Sequence, residues 1–173
     1  TNYALEIGRA TGMGKTQLKR LELAGLLHDI GKIGTYEAIL DKPGRLSYEE
    51  LEIMKRHPSA GAEILQPIKQ LADVVSVIKC HHEFYDGSGY TDGIKGEDIP
   101  LMARMLTVAD AVDAMSADRP YRKGKPMSAI ILELKRCSGT QFDPAVAKTF
   151  LSIIEAKGQG AESPEGFEPP QGA

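Results

Sequence analysis

The chain has no tryptophan, two cysteines and only 6% aromatic residues among its 173 positions. So few rings exclude a surface built to stack the bases of single-stranded nucleic acid. Cys80 and Cys137 make no disulfide framework, and a reducing cytoplasm is the expected compartment. No apolar run approaches the ~20 residues that cross a bilayer. The opening TNYALEIGRATG lacks the basic flank and continuous apolar stretch of a secretion signal. Neither sign of charge dominates, since 21 Lys and Arg against 24 Asp and Glu leave a formal net charge of −3. A nucleic acid polymer is not an expected partner, because phosphate binding needs a clustered basic surface. Histidine is also scarce, with only His28, His57, His81 and His82. What remains is 42% hydrophobic residues, enough for one core and too many for a disordered chain.

Those hydrophobic residues recur at three- and four-residue spacing with no convincing alternation, which predicts an all-α bundle. Helices are expected over Tyr3–Thr11 and from a Thr16 cap to Leu27 or His28, the latter stopped by Gly31 and Gly34. Asp41-Lys-Pro-Gly44 reads as a turn, and Ser47-Tyr-Glu-Glu50 as a capping box opening a helix to Arg56 or His57. Further helices are expected from Pro58 to Leu65, Leu71 to His82, Pro100 to Met115, Pro126 to Arg136, and Asp143-Pro144 to Ile154. Glu83 to Ile99 is rich in Gly and Asp and has no period, as functional loops often do. Residues 1–156 read as one domain and 157–173 as a flexible tail, with four Gly and three Pro between Gly158 and Ala173.

His28-Asp29 sits near a helix end with Lys32 three residues on, so Asp29 and Lys32 share a face. A His beside an Asp offers one nitrogen and one carboxylate ligand, and a carboxylate can bridge two cations. His57 precedes a proline at a helix junction. His81 and His82 are adjacent at the end of an apolar helix, where neighbours point ~100° apart and suit two ions better than one. Asp110 lies in the apolar stretch Met105-Leu-Thr-Val-Ala-Asp-Ala-Val, where a carboxylate is costly unless paired or metal-bound, and Asp113 follows at i+3. A lone His is usually a hydrogen-bonded core or surface residue. Four of them at helix ends beside acids point to a shared metal site. Ligation by His and carboxylate without thiolate favours iron or manganese over structural zinc. Cys80, beside His81, reads as a packed core thiol.

His28-Asp-Ile-Gly-Lys32, His57-Pro, His81-His-Glu-Phe-Tyr-Asp-Gly-Ser-Gly-Tyr90, Ala109-Asp-Ala-Val-Asp-Ala114 and Arg119-Pro-Tyr-Arg122 together resemble the HD-GYP family, a branch of the HD phosphohydrolases. The resemblance covers about Tyr3 to Ile154. It implies an HD-type helical bundle with a Gly-rich loop beside two or three divalent metal ions. It also implies a phosphodiesterase that hydrolyses cyclic di-GMP to linear pGpG or GMP, a few members preferring cyclic GMP-AMP. Carried over residue by residue, it implies His28, Asp29, His57, His81, His82 and Asp110 as metal ligands, with Asp29 as the bridge. Lys32 is implied to contact phosphate, and Tyr90, Asp113, Arg119 and Arg122 to line the substrate side; Asp29 and Lys32 carry the catalytic roles. The implied partners beyond the nucleotide are GGDEF-type, receiver or sensor domains and a second copy of the chain, with no membrane.

Two departures stand out. The family's Gly-Tyr-Pro is Gly89-Tyr90-Thr91 here, and loss of the proline φ lock predicts a mobile flap with Tyr90 near its tip. The resemblance also implies a further His, and often a Glu, one or two turns before Thr1, so the first metal helix is expected to be truncated. Two rival readings follow: a phosphohydrolase of the wider HD class acting on other nucleotides, and a degenerate module that binds cyclic dinucleotide or a partner protein without turnover.

Overall fold

The computed structural model describes residues 1–35, 39, 42, 44–118 and 123–160. Among them are eight α-helices and no β-strand: α1 Asn2–Ala10, α2 Lys15–Leu27, α3 Tyr48–Met54, α4 His57–Leu65, α5 Ala72–Cys80, α6 Leu101–Ser116, α7 Met127–Arg136 and α8 Pro144–Gly160. Short 3-10 turns occupy Ile30–Gly34, Lys69–Leu71 and Gly96–Asp98. The all-α expectation holds. The Asp41–Gly44 turn lies partly, and the tail beyond Gly160 wholly, outside the described residues.

The core lies where α1, α2, α5, α6, α7 and α8 meet. Ile7, Leu21, Ile78, Met105, Val108, Ile130, Leu134 and Phe150 are all fully buried there. Each sits on the apolar stripe of its helix, and their burial supplies most of the driving force for the bundle. An ion pair between the partly buried Arg104 of α6 and the buried Asp143 ties the central helix to the start of α8. Asp143 also caps α8, its Oδ1 accepting the Ala145 amide at 2.7 Å.

Three boundaries differ from the sequence expectation. Gly14, not Thr16, is the N-cap of α2, because the Gln17 side chain accepts the Gly14 amide at 3.0 Å and puts Thr16 inside the first turn. Helix α8 runs to Gly160, six residues beyond Ile154. Helix α5 stops at Cys80, so His81 is its C-cap and His82 lies beyond the helix. The Ser47 capping box forms as expected, with Glu50 amide on Ser47 Oγ at 3.3 Å and Ser47 amide on Glu50 Oε2 at 2.6 Å.

Candidate metal centre

Three helix ends present the imidazoles in the same way. His28 Nδ1 donates to the Gly25 carbonyl at 2.8 Å, His57 Nδ1 to Met54 at 2.7 Å, and His81 Nδ1 to Ile78 at 2.6 Å. Each acceptor is the carbonyl three residues earlier, an orphan of a terminating helical turn. A carbonyl can only accept, so Nδ1 carries the proton and the Nε2 lone pair is left to face the site. Those lone pairs converge. His57 Nε2 and His81 Nε2 are 3.4 Å apart, a repulsive approach unless a cation lies between them. This arrangement fits a resident metal.

Burial reinforces that state. It pushes the His81 ring down to about 3 and His82 to about 4, in each case helped by a neighbouring imidazole. His57 is also lowered, by burial first. Metal binding requires neutral rings, so His57, His81 and His82 need not be deprotonated at neutral pH. His28 departs the other way: burial disfavours its charged form, but Asp110 and Asp29 outweigh that and raise it. Burial would raise Asp110, yet the His28 hydrogen bond and the nearby imidazoles bring it down to about 2.

Asp29 stands between two groupings of donor atoms. His28, Asp29 and His81 offer atoms all within 4.8 Å of one another, as do His57, His81 and His82. Asp29 Oδ2 is 3.6 Å from His28 Nε2, and its Oδ1 is 3.5 Å from His57 Nε2. Asp110 Oδ1 approaches His28 Nε2 at 3.8 Å. Its helix is locked to this spot by Thr107, whose Oγ1 lies 2.9 Å from the His81 carbonyl. All six candidate ligands therefore converge from four chain regions. His81 and His82 do not diverge as helical neighbours would: their ring centroids are 4.1 Å apart and both join His57.

A glycine closes the site. The turn Ile30–Gly34 lies so close to α4 that a Cβ on Gly31 would stand 1.9 Å from the His57 carbonyl oxygen. Gly31 thus permits the contact that brings Asp29 to His57, beyond merely ending a helix. Lys32 Nζ donates to Asp29 Oδ2 at 2.7 Å, so it is engaged at the proposed bridge. Cys80 is buried and its thiol is pushed up to about 11 by burial, as suits a packed core residue.

The loop after His82 is fastened down, which corrects the flap expectation. Its amides at Tyr85 and Asp86 donate to Gln141 and Thr140, and the Gly96 amide donates back to Tyr85. Tyr90 is not at a tip: its ring stacks on His82 at 4.8 Å and 24°, and its amide donates to the His82 carbonyl at 3.1 Å. Glu83, 1% exposed, was not singled out in the sequence, yet its Oε1 accepts the Asp92 amide at 2.6 Å and the Gly93 amide at 3.1 Å. An acid directly after two histidines was the available signal. Thr91 has φ +151°, strained backbone for a β-branched residue. Asp113 lines a cavity of about 370 Å³ with Thr1, Asn2, Tyr3 and Glu6, on the α1 side of α6. Arg119 and Arg122 lie outside the described residues.

A family described as "HD domain" matches residues 1–146. A cyclic di-GMP phosphodiesterase of Thermotoga maritima is 41% identical over 151 residues, 85% of this chain and 40% of that protein. The cyclic di-GMP phosphodiesterase response regulator RpfG of Xanthomonas campestris is 40% identical over 147 residues, 84% of this chain and 39% of that protein. A 3'3'-cGAMP-specific phosphodiesterase of Vibrio cholerae is 40% identical over 137 residues, 78% and 30% of the two chains. The chain thus spans two fifths or less of the length of these relatives. In fold it is similar to a solved HDG"Y"P protein of Bdellovibrio bacteriovorus, with TM-score 0.71, 22% identity, and 88% of this chain and 49% of that one covered.

Proposed function

The chain belongs to the HD domain family, with the motifs of its HD-GYP branch, and from that premise we propose that it is a metal-dependent phosphodiesterase hydrolysing cyclic di-GMP to linear pGpG or GMP. The observation that carries this reading is the convergence of four imidazoles and two carboxylates, with the Nε2 lone pairs of His28, His57 and His81 turned inward by backbone hydrogen bonds. The names of the relatives supply the substrate class.

His28, Asp29, His57, His81, His82 and Asp110 would hold two or three divalent cations, and oxygen and imidazole donors without thiolate favour iron or manganese. Bound there, such cations supply Lewis-acid polarisation of a phosphoryl oxygen and acidify water. Asp29 directs its two oxygens to different imidazoles, as a bridging carboxylate must. Lys32 cannot ligate while protonated, having no lone pair. Its ammonium at the edge of Asp29 instead offsets charge that builds on a phosphoryl oxygen in the transition state. Tyr90, stacked on His82, forms the wall on the substrate side.

Cyclic GMP-AMP is the second substrate reading, favoured by the cGAMP-specific relatives. The test is to load the protein with Fe(II) or Mn(II), measure metal content, and follow cyclic di-GMP, cyclic GMP-AMP and nucleoside monophosphates chromatographically. Turnover of a cyclic dinucleotide to a linear product is expected. Full metal loading with no turnover of either cyclic dinucleotide would replace this reading with a binding module. Turnover of monophosphates alone would replace it with a different HD-class hydrolase.

A further inference from the structure

Beside the metal-facing residues lies a cavity of about 410 Å³, within the size range of small-molecule sites. Gly89 and Tyr90 form one wall, and Glu52, Lys55, Arg56 and Ser59 form the other. A single aromatic ring separates it from the imidazole cluster, since Tyr90 stacks on His82. The opposite wall is just as close in sequence, because Lys55 and Arg56 immediately precede His57. None of the motifs quoted in the sequence includes Glu52, Lys55 or Arg56.

The charges in the cavity are arranged asymmetrically. Lys55 Nζ lies 5.9 Å above the Tyr90 ring and pairs with Glu52 Oε1 at 2.7 Å. Arg56 is exposed and has no carboxylate partner among the described residues. The cavity therefore offers one uncommitted guanidinium, one ammonium held by an acid, and an aromatic wall. That set suits an anion attached to a planar base: the fork of Arg takes two oxygens of a phosphate, and the ring packs against apolar or aromatic surface.

Resting on the phosphodiesterase reading, we infer that this cavity holds the non-reacting half of the cyclic dinucleotide, with its second phosphate on Arg56 and Lys55. A cyclic dinucleotide has two phosphodiesters in one ring, so fixing one phosphate at the cations delivers the other nearby. In the free protein Glu52 occupies Lys55; when the phosphate arrives, it competes with Glu52 for that ammonium. Glu52 thus opposes binding and Arg56 favours it, a pairing of signs that a structural role for either residue does not produce.

The experiment compares cyclic di-GMP with bis(p-nitrophenyl) phosphate, a diester with no second phosphate, on the metal-loaded protein. Arg56→Ala should lower the ratio of kcat/KM for cyclic di-GMP to that for the small diester about tenfold, mainly through KM. Glu52→Gln should raise that ratio severalfold by freeing Lys55. Titration calorimetry with linear pGpG, kept to conditions where chromatography shows it intact, gives a readout independent of turnover: Kd should rise in Arg56→Ala and fall in Glu52→Gln. An unchanged ratio and unchanged pGpG affinity in both variants would overturn the subsite and leave the phosphodiesterase reading standing. Equal losses on both substrates would overturn it too, by assigning Arg56 to the metal centre or the fold. A parent protein that, fully loaded with metal, hydrolyses the small diester but neither cyclic dinucleotide would overturn the reading beneath it.

Discussion

Replacing Gly31 by alanine should dismantle the metal centre before it unfolds the bundle. The added Cβ would lie 1.9 Å from the His57 carbonyl oxygen and 2.5 Å from the Gly61 amide nitrogen. Non-bonded carbon and oxygen keep about 3.3 Å apart, so the turn and α4 must separate by roughly 1.4 Å. Both obstructing atoms belong to the backbone, so no rotamer change relieves the clash. The cost is about 3 kcal/mol, the upper end of overpacking penalties, or a fall in Tm of roughly 6–12 °C for a chain of this size. The centre suffers more. Asp29 Oδ1 and His57 Nε2 stand 3.5 Å apart across that contact, whereas ligand distances tolerate about 0.2 Å. Calorimetry and elemental analysis of the purified variant measure the two effects separately. A variant that keeps the parent's metal content and Tm would refute the claim that Gly31 is required for the close approach.

Lys32→Met keeps most of the stem and removes the charge; metal content should hold while cyclic di-GMP hydrolysis falls roughly thirty- to a thousand-fold, and full activity would remove Lys32 from the mechanism. Thr91→Pro should lower Tm by a few degrees rather than stiffen the loop, because proline needs φ near −65° and this position has φ +151°; a raised Tm in thermal melts would contradict the loop geometry. Glu83→Ala removes the acceptor for two amides, costing about 1–3 kcal/mol; hydrogen exchange at Asp92 and Gly93 should quicken at least tenfold, and unchanged exchange would show that the loop is held elsewhere.

Much of the helical frame was legible because its signals are local. The Ser47 box, Pro100, Pro126 and Asp143 each mark a helix start within a residue or so. The six candidate ligands were named as a set through the family resemblance, carried over residue by residue, and the structure brings those six side chains together. What the sequence concealed depends on long-range contact. Gly31 reads as a helix stop, and only the placement of α4 against it reveals a close approach. The loop reads as a flap because Gly and Asp report local freedom, while its fastening comes from Thr140 and Gln141, some fifty residues away, and from a buried Glu83. Lys55 and Arg56 look like an ordinary solvated helix end until Tyr90 is seen facing them across the cavity.

The three carbonyls that aim His28, His57 and His81 belong to the closing turns of α2, α3 and α5. A helix carries roughly half a negative charge at that end from its aligned peptide dipoles. Three such ends meeting around Asp29 and Asp110 make an electronegative bowl out of backbone as well as side chains. A bowl of this sign draws cations and turns away phosphate. For the proposed reaction, charge alone would set an order: cations held by these residues would reverse the local potential, and an anionic diester would be attracted only after that. The metal-free protein should hold the nucleotide only weakly, through Arg56 and Lys55, even with every residue of the site in place.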